Sequence, residues 1–247
     1  MSNVNDIFFE GLYKDIWKAL IPSELTAKEV DFLVAHFGLQ PGSRVLDLMC
    51  GYGRHATGLA EKGISVTAVD NLNSYTAELE QHAKEHDLPL RVVTADVVDF
   101  QAGEGYELAI CMGNSINFFH AADIRKILRH TAGSLVPGGH LVLNSWTITE
   151  IASRSFKEKS WTRVGDLKVL SDARWQFQPS RIETETIIIS PGGETETKQA
   201  VDYLYSLGEL EQLLEESGFS LQKCYSIPGK KDFSIHDPRI YMVARRS

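Results

Sequence analysis

An α/β fold built on a mostly parallel sheet is predicted by three observations. From Arg44 onward, short apolar runs alternate with helical patterns, the mark of repeated βα units. The runs "SVTAV", "ELAICM" and "HLVLN" are nearly continuous in hydrophobicity, as strands covered on both faces must be. A third signal is the stretch "VLDLMCGYGRHATGLA", Val45 to Ala60, an apolar strand that closes on a carboxylate, crosses two glycines and turns helical.

Strands are expected at Arg44–Leu48, Ser65–Val69, Leu90–Thr94, Glu107–Met112 and His140–Asn144, with helices at Arg54–Lys62, Ser74–His86 and Ala122–Leu135 between them. Ahead of them, residues 1–41 read as two helices. In the first, Ile7, Phe8, Leu12, Tyr13, Ile16, Trp17 and Leu20 recur at helical spacing. The second opens on a Thr26-to-Glu29 capping box and buries Val30, Leu33, Val34 and Phe37 before Gly38 and Pro41 end it. After Trp146 the rhythm changes. A short helix at Thr147–Lys157 leads into Leu167–Ser206, where polar and apolar residues alternate around Gln178-Pro179 and Pro191-Gly192-Gly193, as in antiparallel hairpins with one wet face. A helix at Leu207–Ser217 and strands at Ser220–Ser226 and Ile240–Arg245 complete the α/β unit. The expected division is therefore residues 1–41 as a helical cap, 42–146 as the first part of the core, 147–206 as an inserted antiparallel β cap, and 207–247 as the rest of the core.

Composition narrows the function. The chain has 247 residues, 43% hydrophobic and 23% charged, with neither a secretory leader nor a long apolar run, so a cytoplasmic protein without membrane contact is expected. Three widely spaced cysteines, Cys50, Cys111 and Cys224, fit reduced thiols. A net charge of -8 argues against a nucleic-acid partner, because neutralising phosphates takes clustered Lys and Arg. No metal is expected.

In open α/β sheets ligands bind beyond the carboxyl ends of the strands. The polar residues there are Asp47, Gly51 and Gly53 after the first strand, Asp70 after the second, Asp96 after the third, Gly113 and Asn114 after the fourth, and Asn144 after the fifth. Three carboxylates at one rim repel one another unless a ligand brings donors or positive charge. Gly51-Tyr-Gly53 exposes backbone N–H groups at a helix start, and Asp70 follows about twenty residues later, where a carboxylate accepts from a ribose diol. A nucleoside ligand is implied. The pattern Gly51-x-Gly53-x-x-Ala56 also matches the dinucleotide fingerprint of NAD enzymes. Two features separate the readings: a pyrophosphate would be repelled by Asp47, whereas an ammonium and a sulfonium would be attracted, and Asp96 can accept from an adenine amino group.

On "VLDLMCGYGRH", "VTAVD", "TADVVDF" and "LVPGGHLVLN" the sequence resembles the class I S-adenosylmethionine-dependent methyltransferases. The resemblance covers Arg44 to Asn144 and resumes in Leu207 to Arg246. It implies a Rossmann-like sheet of roughly seven strands, helices on both faces, and a last strand antiparallel to its neighbours. By the same resemblance the cofactor is S-adenosylmethionine, contacted by Asp47, Met49, Cys50, Gly51, Gly53, Asp70, Asn71, Asp96, Val97 and Met112. Met49 stands where the family loop usually carries a glycine, so its side chain must find room beneath the turn.

Methyl transfer to a small molecule is the expected activity; the alternatives are an NAD-dependent oxidoreductase and a methyltransferase acting on protein or nucleic acid. An in-line displacement asks for alignment and dryness, and for a base only when the attacking atom arrives protonated. His120, after "GNSINFF", and Tyr13 are the candidate catalytic residues. Asn114, Trp146 and Trp175 are candidate substrate contacts, and His55 is expected to pack beside the turn. A monomer or a homodimer fits equally well.

Overall fold

A computed structural model describes residues 3–247. A 3-10 turn at Val4–Ile7 precedes helices α1 (Leu12–Leu20) and α2 (Ser23–Phe37). The core then runs β1 (Arg44–Leu48), α3 (Arg54–Ala60), β2 (Ser65–Asp70), α4 (Asn73–Glu85), β3 (Leu90–Thr94), β4 (Tyr106–Cys111), α5 (Ala121–Ser134) and β5 (Leu135–Ser145). After α6 (Thr149–Ser155) come β6 (Lys159–Val164), β7 (Leu167–Phe177), β8 (Ser180–Ile189) and β9 (Thr195–Tyr203). The chain closes with α7 (Leu207–Glu215), β10 (Phe219–Ile227), β11 (Lys231–Asp232) and β12 (Ile240–Arg246).

The main sheet has eight strands in the order β11-β10-β12-β5-β4-β1-β2-β3. Strands β1 to β5 run parallel to one another, and β12 enters antiparallel between β5 and β10. The eighth strand is the two-residue β11 at the edge. Alternation along the strands sends side chains to opposite faces. Leu46, Ala109, Cys111, Leu141, Leu143 and Met242 meet Ile124, Ile127, Leu128, Leu213 and Leu214 of α5 and α7. Val45, Leu108, Ile110, Val142, Tyr241 and Val243 meet Val30 and Leu33 of α2, Leu59 of α3 and Leu79 of α4.

The inserted segment forms its own antiparallel sheet, β6-β7-β8-β9. Val169 and Ile188 of that sheet pack on Ile16 of α1. Strand β9 ties it to the rim of the main sheet: Asn117 Nδ2 donates to the Tyr203 carbonyl at 2.9 Å, and Tyr205 donates to the Phe119 carbonyl at 2.8 Å.

Several expectations shift. The first N-terminal helix is broken at Gly11, whose φ of +63° ends the 3-10 turn and restarts the chain at α1; Ile7 is left exposed. Helix α2 begins at Ser23 after Pro22, one turn before the expected capping box, because proline fixes an extended-to-helix entry there. Thr26 and Glu29 are thereby inside the helix and free for other partners. Strand β6 was not expected, since nearly every residue of "KSWTRV" is exposed and offers no apolar face. The Pro137-Gly138-Gly139 turn is absorbed into β5, which begins at Leu135, where a helix end was expected.

Candidate active site

A cavity of about 590 Å³ opens beyond the carboxyl ends of β1, β2 and β4, roofed by residues 3–6, Phe9 and Trp17. Its floor is the turn after β1. Met49 and Gly51 both take positive φ, 54° and 55°, and Gly53 follows at 78° as the residue before α3. Met49 therefore keeps a backbone that favours glycine, and its side chain tucks against the main core. Gly51 is where the chain approaches the cavity. Gly53 does not line it: a Cβ there would fall 2.4 Å from Leu79, so this glycine serves close helix packing.

Asp47 is 1% exposed, and its Oδ2 has no hydrogen-bond partner among the described residues. Burial pushes its carboxyl up to about 7, against the pull of the Arg54 charge, with Asp70 adding to the rise. Asp70 is clasped on both oxygens, by the Gly51 N–H at 2.8 Å and the Leu72 N–H at 3.0 Å, and burial raises its pKa as well. Each oxygen retains a lone pair for the cavity. Asn71 lines the wall and donates to Asp6 at 2.7 Å. Asp96 accepts from the Val98 N–H at 2.8 Å and stays exposed, next to buried Val97. Cys50 and Met112 are also in the wall; burial, with Asp47 and Asp70 nearby, drives the Cys50 thiol far up and leaves it un-ionised.

At the other end the wall is aromatic. Phe9 packs against Trp17 and Phe118 at centroid distances of 5.8 and 5.6 Å. His120 and Tyr203 face each other there, the hydroxyl 2.7 Å from His120 Nε2. Tyr203 comes from β9, so this pair joins the core to the inserted sheet.

Four expected contacts lie elsewhere. Tyr13 packs on Phe8 and Phe9 behind the wall, and burial lifts its hydroxyl to about 12. Asn114 is a buried hub: its Oδ1 accepts from Ser145, Trp146 and Thr147, and its Nδ2 donates to Asp202 at 2.9 Å. Trp146 stacks on Trp17 at 6.0 Å, outside the wall. Trp175 meets Phe156 and Phe177 on the inserted sheet. In each case a near neighbour holds the wall position instead: Phe9, Gly113 and Ser115, Trp17, and Tyr203.

Sequence reasoning missed Arg54 and Glu29. Arg54 lines the cavity beside Asp47's end of the turn. Glu29 is 2% exposed in α2 and accepts from Arg54, from His55 at 2.9 Å and from the Tyr241 hydroxyl at 2.6 Å. Its position was a usable signal, since it lies one turn before Leu33 on the apolar stripe, where an acid must be paired.

A methyltransferase domain model matches residues 45–139, the stretch holding the glycine turn and all three rim carboxylates. Residues 45–139 are thus similar to a methyltransferase domain. A crystal structure of an S-adenosylmethionine-dependent methyltransferase from Clostridium acetobutylicum superposes on this domain and its insertion with a TM-score of 0.82, covering 96% of both chains at 14% identity. The amino pentose methyltransferase CalS10 from Micromonospora echinaspora, with its S-adenosylmethionine bound, gives 0.70 over 96% of this chain and 98% of its own, at 19% identity. The shared fold therefore extends through the inserted sheet. Among curated sequences, a ubiquinone biosynthesis O-methyltransferase from Rickettsia felis is 24% identical over 50% of this chain and 49% of its own length. The chain thus spans about half the length of the curated relatives it matches. The family model matched over the glycine turn is a methyltransferase one and not a dinucleotide-binding one. No helix among the described residues is long and apolar enough to cross a membrane.

Proposed function

We propose that this chain transfers the methyl group of S-adenosylmethionine to a nucleophilic atom of a small molecule. The observation that carries the reading is the unpartnered Asp47 oxygen, buried beside the cavity where the glycine turn begins. A buried carboxylate without a donor is costly, and a cationic amino-acid group meets that need where a diphosphate would worsen it. When bound, S-adenosylmethionine supplies a methyl carbon activated by its sulfonium.

Around it Asp47 takes the ammonium, Gly51 lets the backbone close in, Asp70 receives the ribose hydroxyls, and Asp96 with Val97 frames the adenine. Phe9, Trp17 and Phe118 exclude water and align the acceptor, the main source of acceleration in a displacement. His120, held by Tyr203, removes a proton from an acceptor atom that arrives protonated. Residues 1–41 and 147–206 together act as the cap over the acceptor, and the domain division at 41, 146 and 206 belongs to this proposal. A roofed cavity and a net charge of -8 favour a small acceptor over nucleic acid. Relatives such as the amino pentose enzyme support the same class. Three unpaired cysteines support a cytoplasmic setting.

Calorimetry of the full chain with S-adenosylhomocysteine and with NADH tests the donor site. Binding of the first alone is expected; binding of NADH alone overturns it. Incubating small-molecule extracts with methyl-labelled S-adenosylmethionine then identifies the acceptor by its labelled product, and a chain that binds the donor yet labels nothing would refute transfer.

A further inference from the structure

We infer that Glu29 is a positioning residue for the amino-acid end of the methyl donor: it grips one edge of the Arg54 guanidinium so that the other edge faces the donor's α-carboxylate. This rests on the donor site proposed above.

Arg54 stands in the first turn of α3, just past Gly53, and forms part of the cavity wall. Its Nη1 donates to Thr26 Oγ1 at 2.9 Å and to Glu29 Oε2 at 2.5 Å, both one turn apart on α2. Its Nε and Nη2 make no hydrogen bond to any described residue, so one edge of the fork is held and the other is open. The methionyl part of the donor is a zwitterion. Asp47 answers its ammonium, and the open edge of Arg54 answers its carboxylate, for which guanidinium geometry is well suited.

Glu29 also decides where Arg54 does not go. Asp47 carries an unpaired oxygen in the same cavity wall, and a guanidinium released from α2 would be drawn to it. That pairing would occupy both halves of the amino-acid subsite at once. Glu29 competes successfully because it is ionised: burial would raise its pKa, but the His55 hydrogen bond, the charge of Arg54 and the Tyr241 hydroxyl hold it down at about 2. Helix α2, outside the sheet, thereby sets the charge pattern of the donor site.

The test compares two ligands of the full-length chain by calorimetry: S-adenosylhomocysteine, and methylthioadenosine, which shares the nucleoside and lacks the amino-acid half. Arg54→Ala is expected to weaken S-adenosylhomocysteine binding by about ten- to a hundredfold, the span of a charge-assisted hydrogen bond, and to leave methylthioadenosine within about twofold. Glu29→Gln should shift only S-adenosylhomocysteine, by about three- to tenfold, and should add nothing in the Arg54→Ala background, because it acts through that residue. If Glu29→Gln fails to fold, Thr26→Ala removes the other grip on Nη1 and must give a smaller shift of the same selectivity. Equal losses for both ligands, no loss for either, or a Glu29 effect that persists without Arg54 overturns the inference. A wild-type chain that binds methylthioadenosine but not S-adenosylhomocysteine overturns it too, and one that binds neither removes the donor site itself.

Discussion

At the glycine-turn end of the cavity, two of the rim carboxylates are fixed by backbone N–H groups of the same or the adjoining βα unit, Asp70 by Gly51 and Leu72 and Asp96 by Val98. At the aromatic end polar groups are fixed by partners far away in the chain. Asn5 and Val201 exchange hydrogen bonds of 2.9 Å, Asn3 donates to the Phe118 carbonyl, and His120 meets Tyr203. The first end is a property of the parallel sheet. The second is assembled from three segments, residues 3–17, 113–120 and β9, and meets the first at the Asn71–Asp6 hydrogen bond. A fold so divided can keep one donor and exchange acceptors.

Mutations at the two ends should therefore separate binding from turnover. The largest effect is expected for His120→Ala, which should lower the turnover of a protonated acceptor by about a hundredfold or more and leave S-adenosylhomocysteine affinity unchanged. Initial rates and calorimetry on the same preparation check this; an unaltered rate would mean that the acceptor arrives deprotonated and the pair only shapes the wall. Asp47→Asn should do the reverse. It keeps the shape, removes the charge, and is expected to weaken S-adenosylhomocysteine binding by about ten- to a hundredfold at pH 8. The deficit should shrink towards pH 6, because wild-type Asp47, with its pKa near 7, is itself protonated there.

Asn114→Ala strikes the joint between the two ends. Leaving Ser145, Trp146 and Thr147 without their shared acceptor should cost about 2–3 kcal/mol, read as a fall in melting temperature of roughly 5–10 °C. A change below 2 °C would show that water replaces the amide. The last is a pH dependence of the ligand-free chain. Burial raises both Asp47 and Asp202 to about 7, well above the unfolded value of roughly 3.9. Their contribution to stability is complete below the unfolded value and is lost as pH rises through 7. Melting temperature should accordingly fall between pH 5 and pH 8, and Asp202→Asn should flatten that fall.

Much of the donor end was legible in the sequence because its spacing is local. Near-continuous apolar runs marked β1 to β5, and the rim carboxylates stand at or just past strand ends. The acceptor end was legible only in part. His120 follows directly from its place after β4, but Tyr203, which with Trp175, Phe177 and Tyr205 alternates with polar residues in Leu167–Ser206, could not be singled out until β9 was paired and docked. Trp175, on the same criterion, turned to Phe156 instead. Glu29 was hidden by a local pattern that competed with a distant one: Thr26 to Glu29 satisfies a capping motif, yet Pro22 starts the helix earlier and frees both side chains for Arg54. The edge strands β6 and β11 left no signal, one being exposed along its length and the other only two residues long.

The Tyr241 hydroxyl on Glu29 has a consequence for how the molecule comes together. Strand β12 lies between β5 and β10, so the group formed by residues 29, 54 and 55 is completed by a residue 212 positions after Glu29. The parallel strands and the glycine turn are built from residues that precede β12, but without residue 241 the acid beneath that turn lacks one of its donors. A fragment ending before β12 should therefore hold Arg54 less firmly than the chain that contains it.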